Sequence, residues 1–268
     1  MSDERAYWES RLGGDFTLAG VGYQRLGLPF NEALYRQRAV VLRRVLRRHG
    51  IRPLGARVLE LGPGTGFYVE RWRRAGVAEL VGLDITAVAV ERLAACYAGY
   101  RFAVADVGEG LPAELAPPGS FDLVTAFDVL FHIREDAAFA RALAGAAEAL
   151  RPGGHLLVSD LFLHDAPLEG EHQKSRTLAE YEAGLAAAGL RLLGRHPVFV
   201  LMHPAVDLPP GRRRDLALRW WRWLSRTLAH HPGRGRWLGP ALGVADRALT
   251  RVVREGPTVE LLVAERPV

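Results

Sequence analysis

The run Val58-Leu59-Glu60-Leu61-Gly62-Pro63-Gly64-Thr65-Gly66-Phe67 limits the possible folds of this chain more than any other stretch. It reads as an apolar strand with an acid near its end, then three glycines at alternate positions, then the start of a helix. Glycine is needed where the backbone turns tightly or admits a ligand with no Cβ in the way. A helix that follows such a turn has first N–H groups without intrahelical partners, so a carboxylate or phosphate can rest there. A nicotinamide fingerprint would put its third glycine one residue later, where Phe67 stands.

From Arg57 onward, short apolar runs alternate with amphipathic helical stretches, the pattern of a parallel sheet covered on both faces. The expected fold is α/β, a doubly wound Rossmann-like sheet of seven strands: Arg57–Leu61, Leu80–Asp84, Phe102–Ala105, Phe121–Phe127, His155–Asp160, Leu190–Leu201 and Thr258–Ala264. Helices are expected at Phe67–Arg74, Ala87–Tyr97, Asp136–Leu150 and Leu178–Ala188, the last opened by a capping box of Thr177 and Glu180. Residues 1–56 are expected to form a helical cover, centred on a helix over Asn31–Arg48 that Gly50 stops and that carries Tyr35 and Arg36. Residues 57–268 then form one domain, with 205–257 inserted between its sixth and seventh strands.

No long uncharged apolar run is present, and the first residues carry charges of both signs, so a cytoplasmic protein is expected. The single cysteine, Cys96, rules out an internal disulfide and a cysteine-rich metal cluster, and no metal is expected. The net charge of +5 is not spread evenly: eleven arginines lie in 205–257 against Asp207, Asp215, Asp246 and Glu255. Basicity therefore belongs to the insertion and not to the core, and no nucleic-acid partner is expected.

Glu60, Gly62, Gly64 and Gly66 match the E/D-x-G-x-G-x-G pattern, and this region resembles motif I of class I methyltransferases that use S-adenosylmethionine. Further motifs of that family follow in order. The resemblance implies that Asp84, at the end of the second strand, accepts the ribose hydroxyls and that Ile85 lies against the adenine. It implies that Asp106 binds the adenine amino group, with Val107 giving the adjacent N–H, and that Phe127 ends the fourth strand beside the cofactor. Leu150-Arg151-Pro152-Gly153-Gly154 looks like the family's turn into the fifth strand. Independently, ligands in open α/β sheets bind at the carboxyl ends of strands, where all these acids are expected.

Methyl transfer from a sulfonium is an in-line displacement, so a dry site that aligns the partners does most of the work. A base is needed only for an acceptor that keeps its proton at neutral pH. His132, just past the fourth strand, is the residue expected to serve as that base, against the alternative of a histidine that merely packs on the sheet. Asp128, Asp160, His164 and His172, together with Tyr35 and Trp220, are the expected acceptor contacts, and Arg176 shares the loop after the fifth strand.

Special subclasses are argued against by missing residues. Asp160 is followed by Leu161 and not by the Asn of metal-dependent catechol enzymes; Asp128-Val129-Leu130-Phe131 lacks the Pro-Pro of amino-methylating nucleic-acid enzymes. A short-chain dehydrogenase would need Tyr-x-x-x-Lys, and the only lysine, Lys174, has Gly170 four residues before it. The expected acceptor is a small molecule, bulky or aromatic, such as a natural product or quinone-like ring, with O-, N- and C-methylation all open and the oligomeric state unassigned. A cofactor-binding homologue without activity and a peripheral membrane enzyme are the alternatives. In the insertion, Leu216, Trp220, Trp221, Trp223, Leu224 and Leu228 are expected to share one face of a helix over Asp215–Leu228, opposite Arg219, Arg222 and Arg226. Leu238, Leu242, Ala245, Leu249 and Val252 repeat this over Leu238–Val253. We read the pair as a cap that buries its apolar faces in protein, in preference to an interfacial helix on lipid.

Overall fold

The computed structural model describes residues 3–268. In chain order the elements are α1 (Asp3–Gly14), α2 (Leu28–Arg48), β1 (Arg57–Leu61), α3 (Phe67–Ala75), β2 (Glu79–Asp84), α4 (Ala87–Cys96) and β3 (Arg101–Val104). β4 (Phe121–Phe127), α5 (Asp136–Ala149), β5 (Leu150–Asp160), β6 (Leu168–Gly170), β7 (Gln173–Ser175), α6 (Leu178–Ala187) and β8 (Arg191–Pro197) follow. α7 (Arg212–His230), α8 (Gly235–Val252) and β9 (Glu260–Glu265) complete the chain.

Seven strands form one sheet in the order β3-β2-β1-β4-β5-β9-β8, and β6 pairs with β7 in a separate antiparallel hairpin. β2 and β4 flank β1 in parallel, with Leu59 opposite Val81 on one side and Val124 on the other. The order reverses at β1 and β4, which sets the topological switch point at their carboxyl ends. Buried Leu59, Leu61, Val81, Leu83, Val124, Ala126, Leu156 and Val158 line one face of the middle strands, and buried Val58, Leu80, Leu123 and Leu157 line the other. This is the doubly wound α/β fold that the alternating pattern predicts.

Two compact units divide the chain. The first comprises the described residues up to Gly13, Arg52–Gly194 and Leu262–Val268; the second comprises Gly14–Ile51 and Arg195–Leu261. Within the first, Phe139, Ala142, Leu143 and Ala146 of α5 and Tyr181 and Leu185 of α6 share the core with the strands. The expected capping box is present: Thr177 Oγ1 accepts from the Glu180 N–H at 3.2 Å, and the Glu180 carboxylate accepts from the Thr177 N–H at 2.7 Å.

Within the second unit, α2 and α8 lie side by side at close range. A Cβ on Gly239 would stand 2.6 Å from Ala33 Cβ, and one on Gly235 would stand 2.8 Å from the Phe30 nitrogen. The buried face of α8 is accordingly Gly235, Gly239, Gly243, Asp246 and Thr250. This corrects the expected face. Leu238, Leu242, Ala245 and Leu249 are half-buried and Val252 is exposed, because the close approach to α2 leaves no room for a side chain at Gly235 and Gly239. α7 divides similarly. Leu224 and Leu228 are buried, while Leu216 and Trp223 are exposed, on the side where Arg219 and Arg226 stand.

Several elements differ from the pattern. α1 was not foreseen, because Asp3–Gly14 has no apolar stripe to mark it. β5 begins at Leu150 and not at His155. β8 stops at Pro197 and not at Leu201, because the N–H groups of Val200, Leu201 and Met202 all donate to the buried Asp246 carboxylate, leaving them no ladder to join.

Candidate functional site

The carboxyl ends of β1 and β2 are shaped by a glycine turn, a helix N-terminus and a buried acid. Gly62 and Gly66 have φ of +66° and +81°, and a Cβ on either would meet Val129 or Leu93 at 2.5 Å. α3 starts behind Gly66 with no capping side chain, so its N-terminus is available to an anionic group. Beside it, Asp84 is buried at the end of β2: one carboxylate oxygen accepts from the Gly64 N–H at 2.9 Å, the other from the N–H and Oγ1 of Thr86 at 2.9 and 2.7 Å. Burial pushes the Asp84 pKa up, and the bonds from Thr86 and Gly64 oppose it.

These residues fit a cofactor of the implied kind. A side chain on Gly62 or Gly66 would be strained at positive φ and crowd Val129 or Leu93, and the Asp84 carboxylate is fixed beside Gly64 where a diol could exchange for a backbone donor. Ile85 is half-buried next to it. Asp106 accepts from the Gly108 N–H at 2.9 Å, in a tight turn after β3, and Val107 is buried in the core. Phe127 packs against Tyr68 with ring centres 4.0 Å apart.

Glu60 is in a different position from its motif partners. Its side chain is 1% exposed and turned under the glycine turn, where Trp72 Nε1 donates to it at 2.6 Å and Thr125 Oγ1 at 3.3 Å. Burial raises its pKa to about 8. It supports the loop from behind, with its carboxyl away from solvent.

At the end of β4, Asp128 adopts φ +60°, an uncommon conformation for any residue but glycine, though Asp tolerates it better than most. Ser159 holds it there: the Asp128 N–H donates to Ser159 Oγ at 3.0 Å, and that hydroxyl donates to Asp128 Oδ1 at 2.9 Å. The chain then forms a single 3₁₀ turn, Leu130–His132. Its last residue, His132, has Nδ1 3.0 Å from the His172 carbonyl oxygen. A carbonyl can only accept, so Nδ1 carries the proton and Nε2 the lone pair. Burial lowers the His132 pKa, keeping the ring neutral at pH 7.

Aromatic rings enclose His132. Trp8 of α1 meets it edge-on at 4.9 Å, Phe131 lies 4.2 Å away, and Tyr7 stacks on His172 at 4.3 Å. The Arg11 guanidinium sits 5.1 Å from the Trp8 ring and donates to the Tyr7 hydroxyl. α1 is anchored beside the Asp84 turn by Glu9, whose carboxylate accepts from the N–H groups of Ala87 and Val88 at 2.8 and 3.0 Å. Thr86, the natural cap of α4, makes no capping bond and donates to Asp84 instead; Glu9 caps α4 in its place. Sequence reading missed Tyr7, Trp8, Glu9 and Arg11. The only signal was two adjacent aromatics among mixed charges.

The other expected acceptor residues have surroundings of their own. Asp160 is 1% exposed, accepts from the Tyr181 hydroxyl, and is pushed by burial to about 7. Arg176 is fully buried, donating to the carbonyls of Ile133 and Arg134 at 2.9 and 3.1 Å and to Asp136. It thereby fixes the segment that follows His132. His164 is exposed. Tyr35 and Trp220 belong to the second unit, where Tyr35 is buried beneath the Arg38 guanidinium and Trp220 Nε1 donates to the Leu201 carbonyl at 3.0 Å. Among the described residues no cluster of three or more His, Cys, Asp or Glu could hold a metal ion.

A doubly wound sheet with a glycine turn at its switch point, a buried acid ending β2 and an acid in the turn after β3 defines the class I, S-adenosylmethionine-dependent methyltransferase type. The family model of the methyltransferase domain matches residues 33–237, and the chain belongs to that family. It is 39% identical over 115 residues to a ubiquinone biosynthesis O-methyltransferase of Xanthomonas axonopodis pv. citri, a match covering 41% of this chain and 45% of that protein. It is 33% identical over 165 residues to the 27-O-demethylrifamycin SV methyltransferase of Amycolatopsis mediterranei, covering 54% of this chain and 58% of that protein. The chain thus spans about half the length of these curated relatives. An S-adenosylmethionine-dependent methyltransferase from Mesorhizobium loti has the same fold, with a TM-score of 0.51 at 18% identity over 83% of this chain and 96% of that one.

Proposed function

We propose that this protein transfers the methyl group of S-adenosylmethionine to a hydroxyl of a small, bulky or aromatic acceptor, such as a quinol-like or polyketide ring. The observation that carries the reading is the enclosure of neutral His132 by Trp8, Phe131, Tyr7 and His172 at the end of β4. Flat rings of this kind suit a flat acceptor, and their low polarity favours loss of charge in the displacement. Both curated relatives carry O-methyltransferase names or an O-demethyl substrate name, which supports oxygen as the accepting atom.

The Gly62–Gly66 turn, Asp84 and Asp106 would hold the cofactor, which supplies an electrophilic methyl carbon on sulfur. Bound there, that carbon would bond to the acceptor oxygen as its bond to sulfur broke, the electron pair staying on sulfur. The hydroxyl proton passes to His132 Nε2. Incubation with S-adenosylmethionine and a panel of catechols, hydroxyquinones and macrocyclic phenols, read by mass spectrometry, tests this. A product heavier by one methylene with loss of the hydroxyl is expected; no methylated product across the panel, or methylation on nitrogen or carbon, overturns it.

A further inference from the structure

α8 is built inside out. Its small and polar residues face α2, and Trp237, Ala241, Val244, Ala248 and Val252 are all exposed. Steps of four, three, four and four residues put these five on one helical face, since each residue advances about 100°. Trp237 is 79% exposed and Val252 76%, in a chain that buries most of its large apolar side chains. Arg247 and Arg251 border this stripe. On α7, Trp223 is 52% exposed, and its face carries exposed Leu216 between Arg212, Arg219 and Arg226.

We infer that the outer faces of α7 and α8 form a docking surface for an anionic lipid bilayer. Charge selects this occupant. The 205–257 segment has eleven arginines against four acids, and one of those acids, Asp246, is buried against backbone N–H groups and offers nothing to the surface. A second copy of the chain would bring arginine rows against arginine rows, which opposes a symmetric contact. A nucleic acid would use the arginines but gain nothing from Val244, Ala248 and Val252. Anionic headgroups answer the arginines, exposed tryptophans suit the headgroup boundary, and the apolar stripe enters the acyl edge. No helix among the described residues is long and apolar enough to cross a membrane, so the contact lies in the interface plane.

Vesicle cosedimentation of the intact protein tests this, comparing mixed phosphatidylcholine–phosphatidylglycerol vesicles with pure phosphatidylcholine. Binding to the mixed vesicles that weakens with added salt is expected. Trp237→Glu should lower the partition coefficient about tenfold or more without shifting the melting temperature, because the side chain touches little protein. Val244→Ser gives a second readout if Trp237→Glu folds poorly. The inference is overturned by failure to sediment with mixed vesicles, by binding that both variants leave unchanged, by a dimer in light scattering that Trp237→Glu dissociates, or by RNA displacing the protein from the vesicles.

Discussion

The Trp72 indole N–H donates to Glu60 across 2.6 Å beneath the glycine turn, tying α3 to the end of β1 through a carboxyl that never meets solvent. Its pKa is raised from 4.5 to about 8, so the folded state holds this proton more tightly than the unfolded chain does. Stability from this group is complete below the ordinary carboxylate range and is lost as pH rises through about 8. Asp160, raised to about 7, acts in the same direction. Glu60→Gln should therefore flatten the fall in melting temperature between the acid range and pH 8, as differential scanning fluorimetry across pH would record. Glu60→Ala should destabilise by about 1–3 kcal/mol at all pH values, because the buried indole N–H loses its acceptor.

Asp84 is the contact that should matter most for cofactor affinity. Asp84→Ala deletes the acceptor for Gly64 and Thr86 as well as for a ribose. Isothermal calorimetry with S-adenosylhomocysteine should show affinity reduced on the order of tenfold to a hundredfold, the range of one or two hydrogen bonds to a charged group. Unchanged affinity would remove Asp84 from the site.

Glu9 caps α4 from 78 residues away in sequence, so its loss should free α1 at one end. Glu9→Ala should cost about 1 kcal/mol, as for the loss of an ordinary helix cap. Hydrogen exchange should rise in residues 3–13 and at Ala87 and Val88, with turnover falling more than cofactor affinity. Protection unchanged in both segments would show that the contact holds nothing in place.

His132 should set the acid limb of the pH–rate profile. Its lowered pKa means that activity is lost only as pH falls below the usual histidine range and is level through neutrality. His132→Ala should remove that limb and lower kcat, with little change in cofactor binding. A limb that survives the substitution would assign it to another group.

Arg176 acts on the same turn from behind. Arg176→Ala leaves the Ile133 and Arg134 carbonyls without their donor and should destabilise by about 1–3 kcal/mol, as for buried acceptors left unsatisfied. Arg176→Lys should recover stability in part. If Arg176 positions His132, the pH midpoint of turnover in Arg176→Lys should shift as well, which a purely structural role would not produce.

The sequence by itself determined the sheet and its cofactor end. Apolar runs of strand length, separated by helical stretches, have few ways to bury both faces, and glycines at 62, 64 and 66 fix the turn between β1 and α3 almost without regard to the rest of the chain. The acids at 84 and 106 were legible for the same reason, since a residue at the end of a strand lies at the end of the sheet. Tertiary structure decided which way side chains face. Glu60 turns inward because Trp72 and Thr125, distant in sequence, reach it there, and α8 turns its glycines inward because only they fit against Phe30 and Ala33. α1 was invisible because its contacts, Trp8 on His132, Tyr7 on His172 and Glu9 on α4, are each specific and long-range. Periodicity records a buried stripe; α1 buries Leu12 and is otherwise held by these separate contacts, which leave no stripe to record.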